Sequence, residues 1–489
     1  MQGVARIESG LQMRSQPRGF RIARPRRTWH ERVKMGISAR ELVLDMLLET
    51  ERGGGYENLL LRDVLNKYDY LEEREKAFAK RLTQGVTERR IQLDYVLDFF
   101  SSVPVRRMKP LIRNVLRMGA FQILFMEGVP DAAACNEAVK LAARRHFQPL
   151  KGFVNGVLRS LSCRKDQIPW PDREKEPFRY LSVYYSMPEW IVRMWASDYG
   201  TEKTERMLQG LLEERPVAVR ISPRMTEEEK RTVLDELGKA GADPRRHPLL
   251  SYAYLLKRVG NVAQLPGFAE GKFAVQDVSS MLVAECAGLG VGVEKNILVL
   301  DVCAAPGGKA VHAAECLVGR GIVQARDVSE KKAAYIRENA DRMGLSNLEV
   351  RVWDATMRDP AMTGTADVLL ADLPCSGLGV IGRKADIKYR VSPESLKEVV
   401  ALQRKILETV WEYVKPGGIL VYSTCTINRE ENERMAEWFS GMFPFAPVSL
   451  KGRLPEEIMA GQEGEGMCQL LPGFFETDGF FLSCFRRLS

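Results

Sequence analysis

The chain holds 489 residues, 45% hydrophobic and 28% charged, which is the balance of a globular protein of several domains. No stretch of about 20 residues is apolar enough to span a bilayer, and the N-terminus has no apolar core ahead of a cleavage site, so no secretory signal is expected. Nine Cys without a C-x-x-C pair, and only four His, exclude a disulfide framework and a zinc site. No metal or membrane is expected, and the composition points to a cytoplasmic protein with reduced thiols.

The net charge of +8 is unevenly spread. Residues 1–36 carry nine basic side chains against Glu8 and Glu31, a net of +7 that leaves only +1 for the rest. With Pro17, Pro25 and no apolar periodicity, this stretch is expected to be a disordered extension. It reads either as a phosphate-binding arm or as a segment that belongs to no fold, or translation begins at Met35. Folded structure is expected to begin at once after it, because Ser38 and Glu41 form a capping box flanked by Ile37 and Leu42 at the staple positions.

Residues 37–163 are predicted to be all helical. Leu42, Met46, Leu47, Leu59, Leu60, Val64, Leu65, Phe78, Leu82, Val86, Leu93, Val96 and Leu97 recur at three- and four-residue spacings. A run of Arg106, Arg107, Lys109, Arg113 and Arg117 has no acid within it, and it reads as a solvated helix face or an RNA contact. The segments VPDAAACNEAV (129–139) and GFVNGVLR (152–159) resemble the NusB-type RNA-binding domain. Residues 164–178 are polar and Pro-containing, as in a linker. Residues 179–265 mix helix and strand, with PVAVRIS as a strand and the capping box TEEE (226–229) opening a helix. This part is read as a small α/β module that positions substrate.

Residues 266–489 change rhythm. NILVLDVC, GIVQARDV, NLEVRVWDA, ADVLLADL and GILVYSTC are strand-like runs, most of them separated by helices. That alternation predicts an open, Rossmann-like parallel sheet with helices on both faces, whose ligands bind beyond the carboxyl ends of the strands. The first strand ends at Asp301 and enters Val302-Cys303-Ala304-Ala305-Pro306-Gly307-Gly308-Lys309, small residues that let backbone approach a ligand. Cys303 and Ala310 occupy positions that a phosphate-binding P-loop reserves for Gly and Ser or Thr, so ATP hydrolysis is not expected. Asp327, Asp354 and Asp372 end the next three strands. Four acids at successive strand ends suit a nucleoside without a large phosphate burden, and S-adenosylmethionine is such a ligand.

Two cysteines follow. Cys375 stands in Asp372-Leu373-Pro374-Cys375-Ser376-Gly377 after the fourth strand, and Cys425 in Tyr422-Ser423-Thr424-Cys425-Thr426 after the fifth. A thiol beside such a cofactor suits methylation at C5 of a pyrimidine. That carbon becomes nucleophilic only after a thiolate adds to C6, and a carboxyl group at the base's N3 edge helps as charge builds. Spacing alone leaves open which of the two is the nucleophile.

LDVCAAPGGK, ADLPCSGLG and YSTCT, with VQDVSS (275–280), RKADIKYR (383–390) and TDGFF (477–481), resemble the RNA cytosine-C5 methyltransferases of the Nop/Sun family with a NusB-like domain in front. The resemblance covers roughly 37–489. It implies that Cys425 is the nucleophile, that Cys375 assists product release, and that Asp372 contacts both base and cofactor. It further implies that Cys303, Ala304, Ala305, Pro306, Gly307, Gly308, Lys309, Asp327, Asp354 and Asp372 bind S-adenosylmethionine, with Lys309 orienting the site. Ala310, Ala385 and Leu373 stand where the family usually has Thr, Pro and Ala, and none of these departures removes a chemical group the reaction needs. Arg383, Lys384, Lys388 and Arg390 are expected to clamp RNA phosphates. The partner implied is RNA, foremost small-subunit (16S) ribosomal RNA, bound by a monomer. Other readings are the same chemistry on tRNA, or a non-enzymatic NusB-like RNA-binding or antitermination factor.

Overall fold

A computed structural model describes residues 38–53, 61, 71–290, 296–460, 462 and 464–489. The basic extension, Ile37, Leu59, Leu60, Val64 and Leu65 lie outside the described residues. The chain divides into two compact units, one running to Thr87 and over Leu93–Ile168, the other formed by Glu88–Gln92 and Pro169–Ser489.

The described part of the first unit is helical: α1 (Ala39–Glu51), α2 (Glu73–Glu88), α3 (Arg90–Phe100), α4 (Pro110–Phe125), α5 (Asp131–Arg144) and α6 (Lys151–Arg164). Ser38 caps α1 as its sequence predicts: Ser38 Oγ accepts from Glu41 N, and the Glu41 carboxylate accepts from Ser38 N. Leu42, Met46, Leu82, Val86, Leu93, Val96 and Leu97 are buried together with Val115, Leu116 and Phe121 of α4. Gly85 is required because a Cβ there would overlap the Phe121 ring, at 1.9 Å from Cζ.

The second unit opens with three helices, α7 (Pro177–Tyr184), α8 (Glu189–Tyr199) and α9 (Thr201–Leu212). A four-stranded antiparallel sheet of order β2-β3-β1-β4 follows, from β1 (Val217–Ile221), β2 (Pro244–Arg246), β3 (Ala253–Leu256) and β4 (Phe273–Val275). Helix α10 (Glu227–Lys239), capped by Thr226 and Glu229, covers it. Its edge strand β4 lies beyond residue 265.

The larger sheet takes β5 (Ile297–Asp301), β6 (Gly321–Asp327), β7 (Leu348–Val352), β8 (Ala366–Asp372) and β9 (Val414–Thr424) in parallel. It is completed by β10 (Phe445–Pro447), β11 (Met467–Leu470) and β12 (Phe480–Arg487), in the order β10-β12-β9-β8-β5-β6-β7 with β11 on β12. The purely parallel sheet expected from sequence is therefore mixed: β12 runs antiparallel to β9 and covers what would otherwise be its open edge.

Alternate residues of each central strand serve opposite faces. Val299, Val368, Leu370 and Val421 pack with α11 (Val278–Ala287), α12 (Gly308–Cys316) and α13 (Glu330–Arg342). Leu300, Leu369, Leu420 and Tyr422 pack with α14 (Pro393–Val410) and α15 (Glu433–Met442). Both faces being buried explains the near-continuous apolar runs of the sequence. Since β6 and β8 flank β5, the order reverses at β5, and the loops after β5, β6 and β8 converge there.

The small sheet and the large one share a buried ion pair. Arg220 of β1 meets Glu315 of α12, both side chains wholly inaccessible, while Arg220 also donates to Gln276 and Glu315 accepts from Ser222. Glu315→Ala strands the Arg220 cation in the interior and should cost about 3–5 kcal/mol. The check is a urea melt, with a clear fall in midpoint at unchanged slope.

Candidate active site

The loop after β5 is drawn tightly against its neighbours. Ala304 N donates to Arg326 O at 2.8 Å, Ala305 N to Asp327 Oδ2 at 3.0 Å, and Asn339 Nδ2 to Pro306 O at 3.0 Å. Gly307 has φ +107°, a conformation side chains avoid, and a Cβ on Gly308 would meet nothing within 4 Å. Residues 303–308 therefore form a thin backbone rim leading into the N-terminus of α12. Burial pushes the Cys303 thiol up, keeping it neutral.

Around this rim stand the strand-end acids. Asp327 Oδ1 accepts from Val328 N at 2.8 Å and pairs with Lys332 at 3.1 Å, whose half-exposed side chain is free to yield. Asp354 lies two residues past β7 and is exposed; its Oδ1 accepts from both Thr356 N and Thr356 Oγ1 at 2.8 Å, an Asx turn that fixes the carboxylate. Asp301 is fully buried, its Oδ2 without a partner among the described residues. Burial and the neighbouring Asp372 push its carboxyl up to about 8.

Asp372 receives Ser423 Oγ on Oδ1 at 2.8 Å and Lys309 Nζ on Oδ2 at 2.7 Å. Burial alone would lower the Lys309 ammonium, but the Asp372 charge and hydrogen bond outweigh it and hold it charged. The ion pair thus joins the cofactor rim to the end of β8.

The two cysteines meet, with Cys375 Sγ and Cys425 Sγ 3.3 Å apart. Their surroundings differ. The hydrogen bond shared with Cys375 lowers Cys425, as do the cations of Lys309 and Lys384, against burial and the Asp372 charge. Cys375 is pushed well up by that same bond, by burial, and by Glu431 and Asp372. Of the two, Cys425 is therefore the more readily ionised and Cys375 the one that keeps its proton longer.

Sequence reasoning missed the framework that holds this contact. The carboxylate of Glu431, wholly buried, accepts from Ser376 N at 2.8 Å, Ser376 Oγ at 2.6 Å, Asn428 Nδ2 at 2.9 Å and Gln403 Nε2 at 3.3 Å. Gln403 also donates to Pro374 O at 2.9 Å, and Thr426 Oγ1 bonds Ser376 Oγ at 2.6 Å. Asn432 ties Thr424 Oγ1 to Thr426 O. The signal was present in INREEN, a cluster of polar residues directly after a strand-end cysteine. Trp195 of α8 adds a bond from Nε1 to Ile427 O at 2.9 Å, and Leu378, Ile381, Ile387 and Ile427 pack on α7, α8 and α9.

Of the four basic residues expected to clamp RNA, three are engaged within the protein. Arg383 bridges Asp277 (2.9 Å) and Asp478 (2.8 Å). Lys388 is buried, and its Nζ donates to Glu88 O at 2.7 Å in the same unit. Arg390 is exposed but pairs with Asp386 at 3.0 Å. Lys384 is exposed and acts on Cys425 through its charge.

Three family models match the chain: 16S rRNA methyltransferase RsmB/F over residues 291–486, the NusB family over 37–162, and an RsmF/B-like ferredoxin-like domain over 187–263. A probable ribosomal RNA small subunit methyltransferase B of Bacillus subtilis is 36% identical, across 92% of this chain and 99% of that protein. The chain belongs to the RsmB/F family of 16S rRNA methyltransferases. A second relative, a probable ribosomal RNA small subunit methyltransferase B of Synechocystis, is 30% identical across 92% of this chain and 100% of that protein. The crystal structure of PH0851 shares the fold, with a TM-score of 0.74 at 24% identity over 92% of this chain and 99% of that one. The family's enzymes depend on S-adenosylmethionine. The residues present fit that cofactor: a glycine rim open above Gly308, the Asp327 carboxylate beside it, and an unpartnered buried oxygen on Asp301.

Arg383 and Lys384 should separate in a substitution test. Arg383→Ala leaves Asp277 and Asp478 short of a cation and should destabilise the fold by at least about 1 kcal/mol, less than a fully enclosed pair because Arg383 is a third exposed. Lys384→Ala should leave the urea midpoint unmoved. Equal midpoints for the two variants would contradict the bridging role.

Proposed function

We propose that this chain methylates C5 of a cytosine in 16S rRNA, using Cys425 as the nucleophile and Cys375 for release. The observation that carries this reading is the 3.3 Å contact of the two sulfurs, with Lys309 and Lys384 acting on Cys425 and Glu431 on Cys375, beside the Lys309–Asp372 pair.

S-adenosylmethionine, when bound by residues 303–309, Asp327 and Asp354, supplies the electrophilic methyl group. The chain supplies the rest. Cys425 Sγ attacks C6 of a cytosine turned out of its stack, and the electron pair of the C5–C6 double bond becomes available at C5. Asp372, fixed by Ser423 and Lys309, is an acceptor suited to the cytosine amino group, while Lys309 stabilises the charge that develops on the ring. After C5 is methylated, a base takes its proton and the C5–H electron pair becomes the C5–C6 double bond as the C6–Sγ bond breaks. The electrons of the C6–Sγ bond return to Cys425, where the Cys375 thiol is in place to hydrogen-bond the departing thiolate.

Trapping tests this directly. Cys375→Ala protein incubated with cellular RNA and S-adenosylmethionine should accumulate an RNA–protein adduct on a denaturing gel, and sequencing of the trapped RNA should return 16S rRNA. The Cys375→Ala/Cys425→Ala protein should form none. An adduct that survives loss of Cys425 would overturn the assignment.

The pH profile gives a second check. Because the Lys384 charge favours the Cys425 thiolate, Lys384→Ala should raise that thiol and move the acidic limb of kcat/KM to higher pH. Lys384→Arg should leave the limb in place.

A further inference from the structure

The five basic residues between Pro104 and Met118 fall into two groups. Arg113 and Arg117, on α4, are neutralised by Glu51 and Asp94 at 2.5–2.7 Å. Arg106, Arg107 and Lys109 instead stand exposed on the 3-10 turn Val105–Arg107 and its exit, and among the described residues none of the three has a carboxylate partner. No acid occurs in the sequence between Asp98 and Glu127, and Asp98 is itself occupied as acceptor for Val105 N at 2.6 Å. That bond folds the connection back onto the end of α3, so the cationic turn stands beside Phe99 and Val103, which are 48% and 39% exposed.

Two further contacts widen the surface. The exposed Arg164 guanidinium lies 5.2 Å from the Phe100 ring, and Lys109 Nζ 5.4 Å from that of Phe147. The result is four exposed cations, three on an acid-free turn beside the exposed Phe99 and one near the neighbouring Phe100 ring. Fixed cations exchange the counterions of a polyanion for themselves, and an exposed ring offers an unpaired base a face to stack on. Either property alone is ordinary on a protein surface. Together, on a turn that carries no acid, they match single-stranded RNA.

We propose that Phe99, Arg106, Arg107, Lys109 and Arg164 form a binding surface for the phosphate backbone of the substrate RNA, separate from the residues of the reaction. The inference rests on RNA being the substrate and adds where the first unit holds it.

The test uses the full chain and protein-free small-subunit rRNA, with affinity measured across a salt series. Arg106→Ala/Arg107→Ala/Lys109→Ala should weaken binding and flatten the slope of log K against log salt by about 2–3, since each phosphate contact contributes roughly 0.7–0.9. Methyl transfer at saturating RNA should be unchanged. Arg106→Lys/Arg107→Lys should keep the parental slope, as a charge contact requires. An unaltered slope in the triple Ala variant would overturn the proposal, as would a Lys variant that binds as poorly as the Ala one. Competition by polyglutamate as effective as by RNA of equal charge would reassign the surface to acidic proteins. If the parental protein binds as described yet methylates no rRNA, the substrate reading fails while this surface stands.

Discussion

Two sulfur atoms on loops leaving neighbouring strands have to be held 3.3 Å apart. Parallel strands deliver their ends to the same edge of a sheet but do nothing to fix the loops beyond them. Here one buried carboxylate does so. Glu431 accepts from the backbone and hydroxyl of Ser376, next to Cys375, and shares Gln403 with the Pro374 carbonyl. A buried carboxylate is costly unless its lone pairs are filled, and four donors fill these. The same group places negative charge beside Cys375, so the element that positions the pair also makes its two members unequal.

The loops are further confined by distant parts of the chain. Gly379 N donates to Cys425 O, and Gly479 N donates to Gly379 O; a Cβ on Gly379 would lie 2.0 Å from the Gly479 oxygen. Arg383, Asp277 and Asp478 bind three separate motifs into one charged knot. Arg215 adds a second cation to Asp478, yet burial and Asp277 still push that carboxyl up to about 6. The helices α7–α9 fill the space beneath with Trp195 and its apolar neighbours.

Much of this was legible in the sequence. The capping boxes at Ser38 and Thr226, the five parallel strands and the acids at their ends follow from local pattern, because hydrogen-bond capping and alternation act over a few residues. The meeting of Cys375 with Cys425 follows from strand order. Long-range pairing was less visible. The antiparallel β12 was not read as a strand, since nothing local to FFLSCFRR names β9 as its partner. The roles of Arg383 and Lys388 escaped because a basic run looks alike whether it faces solvent or acceptors 95 to 300 residues away. Glu431 was hidden for the same reason, since Ser376 and Gln403 lie 55 and 28 residues away.

The place of β12 has a consequence for how the molecule is made. This strand lies between β9 and β10 in the sheet but follows both in sequence, and the TDGFF segment leading into it carries Gly479 and Asp478 to the loop that follows Cys375. During translation the cofactor rim, Asp372 and both cysteines emerge well before the segment that locks them. The nascent polypeptide therefore leaves the ribosome with its chemical groups already synthesised but not yet confined, and the site closes only as the last strand is inserted.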